Sequence, residues 1–318
     1  MSYARYLARR ALFAVLSVYL VLSVTFALIN LTVWQKIENR LALARYNGAS
    51  QAEIEQIRNA FVNSRHLDAP LYERYVKWLV DVTTLKWGHS FTYHQSVVAV
   101  LDGRIVTTLQ YVVPGVLLAV VLGVVVGLFA ALARDGVFDW SARLVGYGVL
   151  GVPVFVVIFY YQYLSGTGLA IVDGFRVVTP TLSKLQLASF TVAASLLAGQ
   201  LRFSRTAALE QSGRAFVKML RAKGATRLRL ARHVLRNAAI PIVSLSFSEV
   251  IAVLMLNIYA IEDVLRIHGL AEASLTAARE SDMALVIWTT MVIVLIGITG
   301  NFLQDVLYGY LDPRIRAD

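Results

Sequence analysis

Uncharged stretches long enough to cross a lipid bilayer dominate this sequence. The first, Ala11–Val33, contains 23 residues without a charged side chain. As an α-helix it would be about 35 Å long, which exceeds the roughly 30 Å thickness of a hydrocarbon core. The segment is longer than the apolar region of a usual signal peptide and no clear small-x-small cleavage site follows it, so we predict an uncleaved first membrane helix.

Five further apolar segments have a comparable length. They are Tyr111–Ala133, Leu144–Leu164, Leu185–Leu201, Ala239–Ala260 and Ala284–Leu303. The sequence therefore predicts an all-α integral membrane protein with six transmembrane helices. We divide it into an N-terminal tail and first helix (1–33), an external loop (34–110) and a core with five helices (111–318).

Composition excludes several other classes of protein. The chain is 58% hydrophobic with a mean hydropathy of +0.63, far above a soluble domain. Its net charge of +10 lies in loops beside apolar segments, so we do not expect nucleic acid as a partner. The 318 residues include no cysteine, which rules out disulfides and thiolate metal sites.

The distribution of basic residues predicts which side of the membrane each loop occupies. With the N-terminus in the cytoplasm, the cytoplasmic segments carry 17 Lys and Arg, and the two short external loops carry 4. Basic loops remain in the cytoplasm during insertion. We therefore expect a multi-pass protein of the plasma membrane with both termini in the cytoplasm.

The external loop has the pattern of two amphipathic helices. Apolar residues recur at helical spacing within Ala52–Val62, and Asp68 and Pro70 are typical of an N-cap and first turn before a second helix. These helices could form a rim around a pore mouth or serve only as structural filler, lying on the membrane or packing as a small cap.

The most basic part of the chain is the loop that follows the fourth apolar segment. Between Arg202 and Arg236 there are ten Lys and Arg and one acid, Glu210. Its helical pattern is interrupted at Lys223–Thr226, where Gly224 can adopt the left-handed conformation that ends a helix. A helix presented by such a turn could insert its apolar stripe into a partner's groove, or the hairpin could lie on anionic lipid.

Residues 210–242 read E-x5-F-V-x3-R-A-K-G-A-x6-R-H-x-L-R-N-A-x-I-P-I, and the chain ends in a Leu-Asp-Pro-Arg-Ile-Arg segment at 311–316. These segments resemble ABC importer permeases of the dipeptide and oligopeptide type. Weaker matches run along the rest of the chain, including Thr108-x-x-Tyr111 and Glu262 to Leu270. Compared with the broader ABC-importer pattern, Lys218 occupies a Glu position and Arg236-Asn237 replace a Leu-Pro, substitutions that are usual in the peptide type. In the external turn, Ile267–Ala271 stand in place of an aromatic-Pro-Gly-Leu-Gly segment.

The resemblance implies a set of partners and a coupling loop spanning 202–238. A second homologous permease would complete the pathway, cytoplasmic ABC ATPase subunits would bind the loop, and an extracytoplasmic solute-binding protein would dock on the opposite face. The loop residues that the resemblance assigns to ATPase coupling are Glu210, Phe216, Val217, Met219, Leu220, Arg221, Ala222, Lys223, Gly224 and Ala225.

No motif in the chain predicts catalysis. A G-x4-G-K-[ST] phosphate-binding loop is missing from the sequence, so an ATPase would have to be a separate protein. The five histidines have no spacing typical of metal ligands. We therefore expect a transport subunit that has no catalytic site, cofactor or metal.

Glu249 is an acid in the middle of the fifth apolar segment. An ionised carboxylate in lipid costs a few kcal/mol unless it is paired or hydrated. It could line the transport pathway, or it could join two helices through a hydrogen bond. Glycines in the second segment, including Gly123 and Gly127, favour close helix packing, either within the chain or against a second permease.

Two other functions remain compatible with the residues alone. An ion-coupled secondary transporter or channel would need intramembrane ionisable sites, of which Glu249 is the one candidate. A membrane scaffold would use the basic loop as a lipid anchor. For an importer, peptides are the first substrate expected, followed by oligosaccharides, and nickel is a further possibility for this type of permease.

Overall fold

The computed structural model describes residues 3–64, 67–151, 156, 170–172, 175–177, 182–280 and 282–311. Most of the predicted third membrane segment, the segment 312–316 and His66 lie outside these residues. The chain forms two compact units, one of Ala11–Gly88 and one of Met1–Arg10 with His89–Asp318.

The unit Ala11–Gly88 consists of most of α1 (Tyr3–Tyr46) with α2 (Gln51–Ser64) and α3 (Leu71–Thr83). The end of α1 and α2 share a small core of Val33, Ile37, Leu41, Ile54, Phe61 and Leu67. The helix predicted at Ala52–Val62 is thus confirmed as α2.

The predicted N-cap of α3 is wrong in position. Pro70, not Asp68, is the N-cap, and its carbonyl accepts the N–H groups of Glu73 and Arg74. Proline suits a helix entrance because its φ is fixed and it has no N–H to leave unsatisfied. α3 then packs beside α1, where the hydroxyls of Tyr75 and Ser23 are 2.7 Å apart.

The described residues of the larger unit contain eleven elements after residue 88. In chain order they are β1 (His89–Ser90), β2 (Gln95–Ser96), α4 (Val97–Leu132), α5 (Val137–Gly151), β3 (Ala170–Val172), β4 (Phe175–Val177), α6 (Lys184–Ser212), α7 (Ala215–Ala222), α8 (Arg227–Leu265), α9 (Leu270–Arg279) and α10 (Met283–Leu311). The strands form two antiparallel pairs, β1 with β2 and β3 with β4. The all-α prediction therefore missed two short hairpins.

Four helices of the described chain contain stretches long and apolar enough to cross a membrane. These stretches are Tyr3–Tyr46, Val97–Leu132, Arg227–Ile251 and Met283–Gly309. They include the predicted first and sixth segments, the second except for its last residue, Ala133, and part of the fifth. The predicted fourth segment, Leu185–Leu201, lies within the continuous helix α6.

Close packing of α4 against α6 forms the centre of the larger unit. A Cβ on Gly115 would lie 2.6 Å from the Ser189 carbonyl oxygen, and one on Gly127 would lie 2.6 Å from the Leu201 carbonyl oxygen. A Cβ on Gly123 would overlap Gln200. The glycines of the second apolar segment therefore let α4 approach α6 within the same chain.

Candidate functional site

The predicted coupling loop folds as a short helix, α7, between two breaks. The first break is at Gly213–Arg214, where Arg214 is an extended N-cap, and the second follows Ala222. The sequence predicted the second break and missed the first. Arg214 begins α7 without a side-chain cap, so it lacks the Ser, Thr, Asp or Asn that usually marks a helix start.

Gly224 ends α7 in the predicted left-handed conformation, with φ of 72°. The Gly224 N–H donates to the Arg221 carbonyl at 2.9 Å, and the Ala225 N–H donates to the Leu220 carbonyl at 3.1 Å. This pair of bonds is a Schellman motif. Thr226 then caps α8 by accepting the Arg229 N–H, so the turn satisfies its own backbone groups.

The inner face of α7 is anchored in the core of the same chain. Val217 is fully buried in an apolar cluster. The other buried members of that cluster are Leu128, Ala131, Ala208, Leu230, Ala231 and Val234. Phe216, Leu220 and Ala225 pack against it. These predicted coupling residues therefore hold α7 in place, and their apolar stripe faces the protein's own core.

The outer face of α7 is exposed and mainly basic. Met219 is 53% exposed, and Leu228, just beyond the turn, is 73% exposed. The other exposed residues predicted at this site are Glu210, Arg221, Ala222, Lys223 and Gly224. A partner could contact this face without displacing the anchor formed by Val217.

A buried ion pair lies where α6 approaches the loop. The Arg205 guanidinium donates from Nε to Asp139 Oδ1 at 2.6 Å and from Nη2 to Oδ2 at 2.8 Å. The Asp135 N–H also donates to Asp139. The Arg205 hydrogen bonds lower the pKa of Asp139 against the opposing effect of its burial. The pair joins the start of α5 to α6.

Glu249 lies between α8 and α6 and is half-buried. Its carboxylate accepts a hydrogen bond from Gln200 Nε2 at 2.6 Å, and a Cβ on Gly199 would overlap it. Gly199 therefore provides the space that the carboxylate occupies. This contact supports the interpretation of Glu249 as a link between two helices, while a pathway role stays a prediction.

The most connected acid of α8 is Glu262, whose interactions sequence reasoning missed. It is fully buried and accepts hydrogen bonds from the Thr108 hydroxyl at 2.6 Å, the Tyr111 hydroxyl at 2.8 Å and the Glu272 N–H at 2.8 Å. Thr108 also accepts the Leu270 N–H. We call Thr108, Tyr111, Glu262, Leu270 and Glu272 the polar hub.

The polar hub joins three helices, because its residues belong to α4, α8 and α9. A Cβ on Gly269 would overlap the Glu262 carboxylate, so the glycine before α9 is needed for its approach. In the sequence, Thr108 and Tyr111 on the one hand and Glu262 on the other were separate matches to the family. The helical spacing of Thr108 and Tyr111 and the glycine before α9 are visible in the sequence, but the contact between these segments is not.

A third buried acid, Asp282, directly precedes α10. It accepts hydrogen bonds from the Ser90 hydroxyl at 2.6 Å and from the N–H groups of Thr92 and Leu285, both at 3.2 Å. Burial alone would raise its pKa, but these hydrogen bonds lower the pKa of Asp282. The carboxylate thus ties the β1–β2 hairpin to α10. Across the described ranges, no group of three His, Asp or Glu side chains could bind a metal ion.

Comparison with known proteins gives consistent matches over most of the chain. Residues 123–317 match the family described as the binding-protein-dependent transport system inner membrane component. The oligopeptide transport system permease protein OppB of Mycobacterium tuberculosis is 30% identical, with 98% of this chain and 99% of that protein covered. OppB of Haemophilus influenzae is 29% identical (79% and 82% covered), and the dipeptide transport system permease protein DppB of Bacillus subtilis is 25% identical (79% and 81% covered).

Proposed function

This chain belongs to the family of binding-protein-dependent transport system inner membrane components, and on that premise we propose that it forms half of a solute pathway beside a second homologous permease. It is the permease component of such a system, a transport subunit and not the ATPase. Family membership favours this function over an ion-coupled transporter or a scaffold.

The two faces of α7 carry the proposal that ATPase subunits bind there. Val217 anchors the inner face in the core, and Met219 lies on an exposed outer face. When a partner displaces a helix anchored in this way, the displacement is transmitted to α4, α6 and α8, because their residues surround Val217. ATP-driven movement of the ATPases would then shift the membrane helices between two arrangements.

Site-specific photo-crosslinking tests this contact. A photoreactive amino acid at Met219 should capture an ATPase subunit that is co-expressed with the permease. The matched control is Phe190, which is 51% exposed but lies in the predicted fourth membrane segment. Capture at Met219 and not at Phe190 is the expected result. Equal capture at both positions, or none at Met219 in an assembled complex, would overturn the proposal.

Charge supports the proposed orientation, with both termini and α7 in the cytoplasm of a six-span protein. A fluorescent protein that folds only in the cytoplasm should fluoresce when it is fused after Asp318. Alkaline phosphatase inserted at Gly48, in the proposed external loop, should be active. The opposite pair of results would show an inverted topology.

Peptides are the substrate class that we propose, because the named relatives are oligopeptide and dipeptide permeases. An extracytoplasmic solute-binding protein would deliver them. Proteoliposomes that contain the complete complex should take up a labelled peptide, and unlabelled peptides should reduce that uptake. Uptake of a labelled oligosaccharide and not of the peptide would replace peptides with sugars as the substrate.

For Glu249 we propose the helix-joining role, supported by its hydrogen bond with Gln200. Glu249→Gln keeps the size of the side chain and can retain one hydrogen bond. We expect less than about 1 kcal/mol of lost stability and normal peptide uptake. Loss of uptake with unchanged thermal unfolding would instead assign Glu249 to the pathway.

A further inference from the structure

A basic crevice lies between α5 and α6, and its lining residues come from these two helices and not from α7. It contains about 320 Å³ of empty space, part of it open to solvent. Arg143, Gly146 and Tyr147 line its α5 side. Ala198, Leu201, Arg202, Arg205 and Thr206 line its α6 side.

The charge of the crevice is only partly compensated. Arg205 is paired with the buried carboxylate of Asp139, and Arg143 lies 3.6 Å from the same carboxylate. Arg202 is exposed, and its guanidinium lies 5.0 Å from the centre of the Phe203 ring. It interacts electrostatically with Glu249, but among the described ion pairs none joins Arg202 to an acid. The three guanidinium groups therefore have one carboxylate in direct contact, which leaves a site that favours an anion.

The crevice is polar at one end and apolar at the other. On α6, Ala198 and Leu201 precede Arg202 and Thr206, and on α5 Arg143 precedes Gly146 and Tyr147. Leu201 is the last residue of the predicted fourth membrane segment, and Arg143 directly precedes the third. Both helices therefore change from apolar to basic at the same predicted membrane boundary.

We propose that this crevice binds an anionic phospholipid, with the phosphate beside Arg143 and Arg202 and the glycerol region against Gly146 and Leu201. A free phosphate ion could use the arginines, but it would leave the apolar end of the crevice unfilled. Basic pockets between membrane helices suit anionic lipid headgroups. Only the assignment of this lipid to the cytoplasmic leaflet depends on the proposed topology.

Native mass spectrometry of the full, delipidated chain tests this site directly. The probes are dioctanoyl-phosphatidylglycerol, dioctanoyl-phosphatidylcholine and inorganic phosphate. We expect phosphatidylglycerol to bind most tightly and Arg202→Gln to weaken it about five-fold, the effect of roughly 1 kcal/mol per arginine near a charged surface. Arg232→Gln, an exposed arginine of α8 outside the crevice, should leave binding unchanged.

Three results would overturn the proposal. They are equal phosphatidylglycerol binding by the wild type and Arg202→Gln, equal binding of the zwitterionic lipid, and binding of inorganic phosphate as tight as that of the lipid. Arg202 has an exposed side chain, so its substitution should not unfold the chain, and matching thermal unfolding curves check this. The measurement requires no ATPase or substrate, so its outcome is independent of the proposed transport function.

Discussion

The polar hub and the turn after α7 lie at opposite ends of α8 and are stabilised in different ways. The hub depends on side chains that are distant in sequence, since Glu262 binds Thr108 and Tyr111 across 154 and 151 residues. The turn depends on backbone bonds between residues at most five apart, such as Ala225 to Leu220. One end of the helix is thus joined to its neighbours by buried polar hydrogen bonds, and the other follows a turn whose hydrogen bonds are all local.

This difference separates structural from partner-binding effects. A change in the hub leaves buried hydrogen-bonding groups without partners, so it should act mainly on folding stability. A change on the turn alters exposed or local groups, so it should act mainly on partner binding. Four experiments compare buried positions, in the hub and elsewhere, with the exposed turn, in order of decreasing expected effect on stability.

The largest effect should come from Glu262→Ala. It removes the acceptor of two buried hydroxyl groups and a backbone N–H, which should cost about 3 kcal/mol or more. Thermal unfolding of the purified protein in detergent would measure the loss. The matched control is Glu280→Gln, an exposed acid at the end of α9, which should change stability by less than about 0.5 kcal/mol. A similar loss in both variants would contradict the structural role of the hub.

Gly123→Ala should follow, with a loss of about 2 kcal/mol, because the new Cβ would overlap Gln200 on α6. Gly103 lies on the same helix with no neighbouring atom within 4 Å of an added Cβ. Gly103→Ala should therefore stabilise α4 by about 0.5–1 kcal/mol. We therefore expect the two substitutions to change the free energy of unfolding in opposite directions. A change in the same direction would refute close α4–α6 packing.

Asp282 should make stability depend on acid pH. Its folded pKa is lowered, so its contribution is complete above the unfolded value near 4 and is lost as the pH falls through the folded value. Asp282→Asn should therefore be less stable than the wild type at pH 7, and the difference should shrink below about pH 4. Unfolding temperatures from pH 3 to pH 7 measure this, and a difference that grows on acidification would reverse the assignment.

The smallest effect on stability should come from Gly224→Ala. An L-residue in the left-handed region costs about 1–2 kcal/mol, and part of this loss can be relieved by fraying the exposed end of α7. Co-purification of the ATPase subunits should fall with Gly224→Ala and stay closer to wild type with Gly224→Asn, because asparagine tolerates that conformation better. Equal recovery of the ATPase with all three proteins would show that the turn geometry is not needed for binding.

The same contrast determines what could be predicted from the sequence. The turn was predicted because Lys223–Thr226 contains a glycine after a basic last turn, which is local information. Close packing by Gly123 and Gly127 was also predicted, although its partner helix was not. Hydropathy singled out Glu249, because that acid lies within an apolar segment. The hub around Glu262 was missed because hydropathy carries no information on which distant hydroxyl groups contact an acid.

Three errors of the sequence-based prediction have local causes. Asp68 is a better N-cap type than Pro70, but the backbone of Pro70 already supplies the carbonyl that begins α3. The break at Gly213–Arg214 was overlooked because Arg214 resembles any other basic residue of the loop. The two β hairpins were missed because strands of two or three residues are too short for their alternation to be recognised.

The length of α4 has a mechanical consequence. Its Tyr111 contacts Glu262, its Ala131 belongs to the cluster around Val217, and its contacts with α6 through Gly115 and Gly127 are centred midway between them. At 1.5 Å per residue, the close contact from Gly115 to Gly127 extends over about 18 Å of the roughly 30 Å between Tyr111 and Ala131. A contact of that length holds α4 against α6 as one rigid element. A displacement of the end beside Val217 should therefore carry the end beside Glu262 with it.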